Sequence, residues 1–208
     1  MTAAPSPGAT VILIHGNGGC TAGDFWLPAV ERDLTASGLR VINRTFPDNT
    51  KARARIWLPF LESLGADEHT IVVGHSSGAL AAMRYAETHP LLGSVLVGVC
   101  HTDLGDGFEA ASGFYEAPWR WDRIRANQRW IGIFNSSDDP HIPVAEARFV
   151  AAQLRCSYFE FEDRGHFTDS TLPEVSAFIL RKLGIGNHGR RAEPSEAGRG
   201  PVPTQRLR

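Results

Sequence analysis

Ile71-Val72-Val73-Gly74-His75-Ser76-Ser77-Gly78-Ala79-Leu80-Ala81-Ala82 is the stretch whose reading decides the fold. A β-branched apolar run enters Gly-x-Ser-x-Gly, and an Ala/Leu-rich helical pattern leaves it. Strand, sharp turn and helix form the context in which this motif presents a nucleophilic serine. Side chains at Gly74 and Gly78 would collide with neighbouring backbone in so tight a turn, and the turn forces Ser76 into strained dihedrals. The strain lifts the Ser76 hydroxyl clear of the sheet and aims the first helix amides at the same space, which suits a developing anion. A serine that merely caps a helix start is the plainer alternative.

Outward from this motif, apolar runs alternate with amphipathic stretches. Thr10–Ile14, Leu39–Arg44, Thr70–Val73, Ser94–Val99, Trp130–Asn135 and Ser157–Phe161 read as strands buried on both faces. Helical patterns fall at 24–36, 51–64, 77–88, 119–127, 143–154 and 172–183, with Pro28 and Pro143 in first turns and Pro59 placed to kink or interrupt its helix. The alternation predicts an α/β three-layer sandwich with a six-stranded, mainly parallel sheet, and the Gly-x-Ser-x-Gly elbow after its third strand makes it α/β-hydrolase-like. Only about twenty residues separate the fourth strand from Trp119, so no large lid fits.

The 208 residues suggest one domain at 10–183, a flexible N-terminus at 1–9 and a disordered Gly/Pro/Arg-rich tail at 184–208. A formal charge of −2 gives no polyanion-binding signature, and no nucleic-acid partner is expected. Cys20, Cys100 and Cys156 are odd in number and widely spaced, which reads as reduced thiols and a cytoplasmic protein. No signal peptide or membrane-spanning stretch is recognisable, so no membrane partner is expected.

A serine hydroxyl needs a base within reach, and the base needs an acid to orient it. On α/β-hydrolase scaffolds they follow in the order serine, acid, histidine. Asp163-Arg164-Gly165-His166-Phe167 follows the last strand and supplies His166 as the base; His15 and His75 are less suitable, His75 because its side chain should point away from Ser76. The loop Ser137-Asp138-Asp139-Pro140-His141-Ile142-Pro143 supplies the acid. Asp139 is favoured by its spacing and by Pro140, which holds it extended. Asp138 is the second choice, or a turn residue supporting the site, and Asp103 is the third. The glycine-rich loop His15-Gly16-Asn17-Gly18-Gly19 after the first strand matches neither dinucleotide nor P-loop patterns. It suits an oxyanion hole, with the Asn17 amide as one donor and the Ser77 amide as the other. Phe108, Phe114, Tyr115, Trp119 and Trp121 are candidates for part of the wall of an apolar substrate pocket, although tryptophans in a helix also serve as core.

With these residues in place, the chain resembles the retinoblastoma-binding protein 9 type of serine hydrolase, a small α/β-hydrolase family. The resemblance covers nearly all of 10–183 and rests on Gly16-Asn17-Gly18-Gly19, Ile56-Trp57-Leu58-Pro59-Phe60, and the Gly74–Gly78 elbow continued by Ala82-Met83-Arg84-Tyr85-Ala86-Glu87-Thr88-His89. Asp103-Leu104-Gly105-Asp106, Pro118-Trp119-Arg120-Trp121, Asp138-Asp139-Pro140 and Gly165-His166-Phe167 add to it. It implies a catalytic set of Ser76, Asp139 and His166, acting on small esters or amides with no metal and no cofactor. Amide or small-peptide hydrolysis, and a non-catalytic interaction module keeping the same fold, are the alternatives. The pocket-protein-binding motif of the animal member, Leu-x-Cys-x-Glu, has become Leu64-Gly65-Ala66-Asp67-Glu68, so that binding is not expected.

Overall fold

The structure, a computed structural model, describes residues 8–185 and the backbone of the pair Gln205–Arg206. Its elements run β1 (Thr10–Ile14), α1 (Leu27–Ala36), β2 (Arg40–Asn43), α2 (Ala54–Ser63), β3 (Thr70–His75), α3 (Ser77–Ala86), β4 (Leu91–Val97), α4 (Gly107–Ala110), α5 (Trp121–Ala126), β5 (Gln128–Ser136), α6 (Val144–Leu154), β6 (Ser157–Phe161), α7 (Pro173–Lys182) and β7 (Gln205–Arg206). The sheet order is β2-β1-β3-β4-β5-β6-β7, and every neighbouring pair is parallel.

Alternate strand residues feed two separate cores, which is why the strands read as continuous apolar runs. Val11, Leu13, Ile71, Val73, Val95 and Val97 face α1 and α7, with Trp26, Leu34, Val175 and Ile179. Ile12, Ile14, Val72, Leu96, Ile131 and Ile133 face the other side, where α2, α3, α5 and α6 contribute Trp57, Leu61, Leu80, Met83, Ile124 and Val150. The result is the three-layer α/β-hydrolase sandwich. Between β4 and β5 the chain forms only α4 and α5, four and six residues long.

Two expectations need correction. Helix α2 runs through Pro59 without interruption. Both Pro59 and Arg55, whose carbonyl loses its partner, lie on the exposed side, where water can satisfy that carbonyl. β4 ends at Val97 rather than Val99, because Gly98 turns the chain at φ +60°. Beside the six strands β1 to β6, the two-residue pair Gln205–Arg206 lies parallel to Phe159–Glu160 of β6. That pairing uses backbone groups alone, so composition carries no trace of it. The rest of the stretch read as a disordered tail, from 186, and the N-terminal residues 1–7 lie outside the described residues.

A parallel sheet delivers all its βα loops to one edge. The chain reverses direction of travel at β1, going first to β2 and then across to β3. The crevice at such a switch point is where open α/β sheets bind ligands. The loops after β1, β3, β5 and β6 carry Asn17, Ser76, Asp139 and His166.

Candidate active site

Ser76 sits between β3 and α3 at φ 53°, ψ −119°, a conformation that costs a non-glycine residue roughly 1–3 kcal/mol. The surrounding backbone enforces it. The Ser76 amide donates to the Val97 carbonyl at 2.8 Å, and the Ser76 carbonyl accepts from the Ala79 amide at 2.8 Å. A Cβ at Gly74 would lie 2.2 Å from the Gly78 carbonyl oxygen, and one at Gly78 would lie 2.5 Å from that of Ile14. Strand, helix and β1 are therefore packed backbone to backbone around the serine.

His166 lies in the loop after β6, and its Nδ1 is 2.8 Å from Asp139 Oδ2. The Asp139 side chain is fully buried, and its Oδ1 accepts the amides of His141 (2.8 Å) and Ile142 (3.0 Å). Burial pushes the Asp139 carboxyl up, but the His166 hydrogen bond and charge, with the two amides, outweigh it, and the balance lies below the usual carboxylate value. The carboxylate stays ionised and can hold the imidazole in one tautomer, with the proton on Nδ1.

The two other carboxylates considered as the acid lie elsewhere. Asp138 Oδ1 accepts the Gly165 amide at 2.8 Å and the Ser136 hydroxyl at 2.5 Å, while the Ser136 oxygen accepts the Arg164 amide at 3.1 Å. It thus ties the β5 loop to the His166 loop. Asp103 accepts the Gly105 amide within its own turn.

Ser76, His166, Asn17 and Ser77 line one cleft of about 600 Å³, with Phe25, Leu80, Cys100, Leu104, Glu109, Tyr115 and Ile142 among its walls. Among the described residues, neither the Asn17 nor the Ser77 amide donates to a protein acceptor, and Ser77 opens a helix. One unspent loop amide and one unspent helix N-terminal amide, both lining the cleft with the serine, are what a developing oxyanion requires. The Asn17 side chain is occupied, its Nδ2 donating to Glu109 Oε1 of α4 at 2.5 Å. The next residues of that loop are fixed from below by Gly18 to Thr50 and Gly19 to Asn49 backbone bonds.

The expected pocket wall is corrected. Phe114, Trp119 and Trp121 do not line this cleft. Phe114 is fully buried in the core. Trp119 lies under the Arg84 guanidinium (3.7 Å to the ring centroid) and donates its indole N–H to the His101 carbonyl. Trp121 stacks on Trp119 at 5.7 Å. All three hold the α5 side of the molecule together. Of the aromatic candidates in this stretch Tyr115 does line the cleft, joined by Leu104 and Glu109.

Two contributors to the site, Gly98 and Glu109, escaped the sequence reading, and a third, His75, was read only as a neighbour of it. His75 lines the cleft, and its Nε2 donates to the His166 carbonyl at 2.8 Å. Gly98 packs so closely that a Cβ there would come 3.3 Å from His166 Cε1; a glycine just past the apolar strand beside β3 was the available signal. Glu109 had no local signal, since a four-residue helix carries too little periodicity. His15 proves structural: its Nδ1 donates to the Gly16 carbonyl and its Nε2 accepts the Phe46 amide, so burial keeps it neutral. Cys100, also in the cleft, is no rival nucleophile, because burial pushes its thiol up to about 12.

A second hollow of about 370 Å³ opens at the opposite sheet edge, lined by Arg125, Arg129, Arg155 and Lys182. Arg125, Arg155 and Lys182 lie at the C-terminal ends of α5, α6 and α7, where unpaired helix carbonyls favour positive charge. Those helix ends account for this clustering of charge.

Residues 11–173 match the family described as serine hydrolase. The chain is 44% identical over 180 residues to serine hydrolase RBBP9 of Rattus norvegicus, an alignment covering 86% of this chain and 97% of the relative. Among solved structures it is similar to the ydeN gene product of B. subtilis (TM-score 0.78, 23% identity, covering 85% of this chain and 99% of that one). It is also similar to Est1E of Butyrivibrio proteoclasticus (TM-score 0.68, 16% identity, 86% and 90%). The fold is shared across all of these.

Proposed function

The chain belongs to the serine hydrolase family, and on that premise we propose that it hydrolyses small esters or amides through an acyl-enzyme on Ser76. The observation that carries this reading is the buried Asp139–His166 pair, 2.8 Å apart, opening on the cleft that the strained Ser76 also lines. His166 Nε2 takes the Ser76 proton as Oγ attacks the carbonyl carbon, and Asp139 stabilises the imidazolium that results. The Asn17 and Ser77 amides receive the oxyanion. His166 then returns the proton to the leaving alcohol or amine, and water, activated by the same imidazole, releases the acyl group.

The cleft supports a small substrate with an apolar portion. Phe25, Leu80, Leu104 and Ile142 provide the apolar contact, and among the described residues the segment between β4 and β5 forms only the short helices α4 and α5. The same three side chains serve esters and amides, so the choice between them is made by the leaving group. Labelling with a fluorophosphonate probe, followed by turnover of short-acyl, aromatic and aminoacyl esters against matched amides, tests the proposal. Stoichiometric modification of Ser76, lost in Ser76→Ala, is the expected result. A folded protein inert to both probe and substrates would instead favour a non-catalytic interaction module. The proposal extends to no membrane, nucleic-acid or pocket-protein partner, and a cytoplasmic location goes with it.

A further inference from the structure

We propose that His75 is a positioning residue for the reaction, its ring N–H carrying the backbone of the base His166 from the strand that bears the nucleophile. The inference rests on the roles of Ser76 and His166 proposed above. A carbonyl oxygen only accepts, so the 2.8 Å contact between His75 Nε2 and the His166 carbonyl requires the proton on His75 Nε2. His75 directly precedes Ser76, so one residue couples the elbow to a loop 91 positions later in the chain.

The ring has little freedom to do anything else. Its centroid lies 4.9 Å from that of His166, and Phe25 and Trp26 meet it edge to face at 5.7 and 5.9 Å. Gly98 leaves just enough room: a Cβ there would stand 3.9 Å from His75 Cδ2 while pressing on His166. The His166 loop thereby has anchors on both sides. Asp138 and Ser136 hold Gly165 and Arg164 from β5, Asp139 holds the imidazole, and His75 holds the carbonyl from β3. Removing the last would let the loop lean toward β5, taking Nε2 of the base away from the serine.

Burial supports the same role. His75 is pushed down to about 3, chiefly by desolvation, so it stays neutral and keeps a single ring proton under working conditions. A neutral neighbour at this distance also leaves the imidazolium of His166 unopposed during attack.

The test compares three variants of the full chain. His75→Phe keeps a ring in the aromatic box but donates nothing; His75→Gln keeps an N–H at a similar reach; His75→Asn keeps an amide too short to reach. We expect His75→Phe to lower kcat by about 10²-fold, the scale of a misplacement near 1 Å, with KM changed less than about twofold. His75→Gln should recover most of that loss and His75→Asn little of it. The downfield proton resonance of His166 Nδ1–H, identified by its disappearance in Asp139→Ala, should broaden in His75→Phe and return in His75→Gln. If His75→Phe fails to fold, the Gln and Asn pair decides: equal turnover overturns the proposal. Wild-type kcat with an intact resonance in His75→Phe, alongside normal Ser76 labelling, overturns the positioning role alone. A wild-type protein inert to the fluorophosphonate overturns both readings.

Discussion

Every residue from Thr70 to Ala86 is buried except Ser76 and Arg84, whereas the stretch 101–121, which runs beside the same cleft, leaves Leu104 and Phe108 39% and 45% exposed. Around the elbow, backbone meets backbone at distances no side chain could share. The covering stretch is anchored at fewer points: Phe114 enters the core, Trp119 and Trp121 pack against it, and polar contacts hold the rest. Arg84 donates to the Phe114 and Ala117 carbonyls, Asn17 donates to Glu109, and Asp106 caps α4. Close packing fixes the backbone at Ser76, while the more exposed residues 102–110 of the wall are held at fewer points. A dense region stores the strain at Ser76 because its neighbours cannot relax. The looser one could not.

That contrast is open to breakage, beginning at the dense end. Ser76→Ala should lower kcat by on the order of 10⁵-fold or more with the fold unchanged, read by steady-state kinetics beside circular dichroism. Asp139→Asn should leave the structure in place and cost about 10⁴-fold, because the amide no longer enforces the productive His166 tautomer. Gly74→Ala attacks the packing itself. With its Cβ due 2.2 Å from the Gly78 oxygen, we expect a loss of about 3 kcal/mol or more of unfolding free energy by urea titration, and a mild effect would mean the elbow is softer than described.

Acidification probes the same region through its buried imidazoles. The folded-state pKa of His75, about 3, lies below its ordinary 6.5, so between these values the unfolded chain takes a proton that the folded one refuses. Stability should therefore fall as pH drops below 6.5, with His15 contributing in the same direction. Asp139, also lowered, adds its share above its ordinary 3.8, and that share is lost on further acidification through its folded value. Urea midpoints at about pH 7.5 and 5 should show the drop, and His75→Gln should shrink it. At the loose end, Glu109→Ala should change stability by under ~1 kcal/mol and KM by about threefold. A collapse of the fold on losing Glu109 would erase the distinction between the two regions.

Much of the sheet was legible because parallel strands buried on both faces leave long apolar runs, as at Thr10–Ile14 and Ser157–Phe161, whose ends the structure reproduces residue for residue. The elbow was legible for a related reason: its geometry is enforced within five consecutive residues. The wall of the cleft was not. Trp119 and Trp121 look like pocket residues by type and position, yet Arg84 and His101 draw them into the α5 side of the molecule. The His75 side chain was expected only to point away from Ser76, since nothing local reveals that it meets the carbonyl of His166.

By itself, the sequence determined the layered fold, the strained serine turn, and the order in which alcohol, carboxylate and imidazole occur, since each depends on local periodicity or on steric demands between near neighbours. Only the tertiary structure decided which carboxylate of Asp138 and Asp139 meets the imidazole, which residues face the cleft, and that the His75 ring meets the His166 carbonyl. Those outcomes turn on contacts between loops distant in the chain. Their distances follow from how β3, β5 and β6 stack side by side, and no local pattern encodes that.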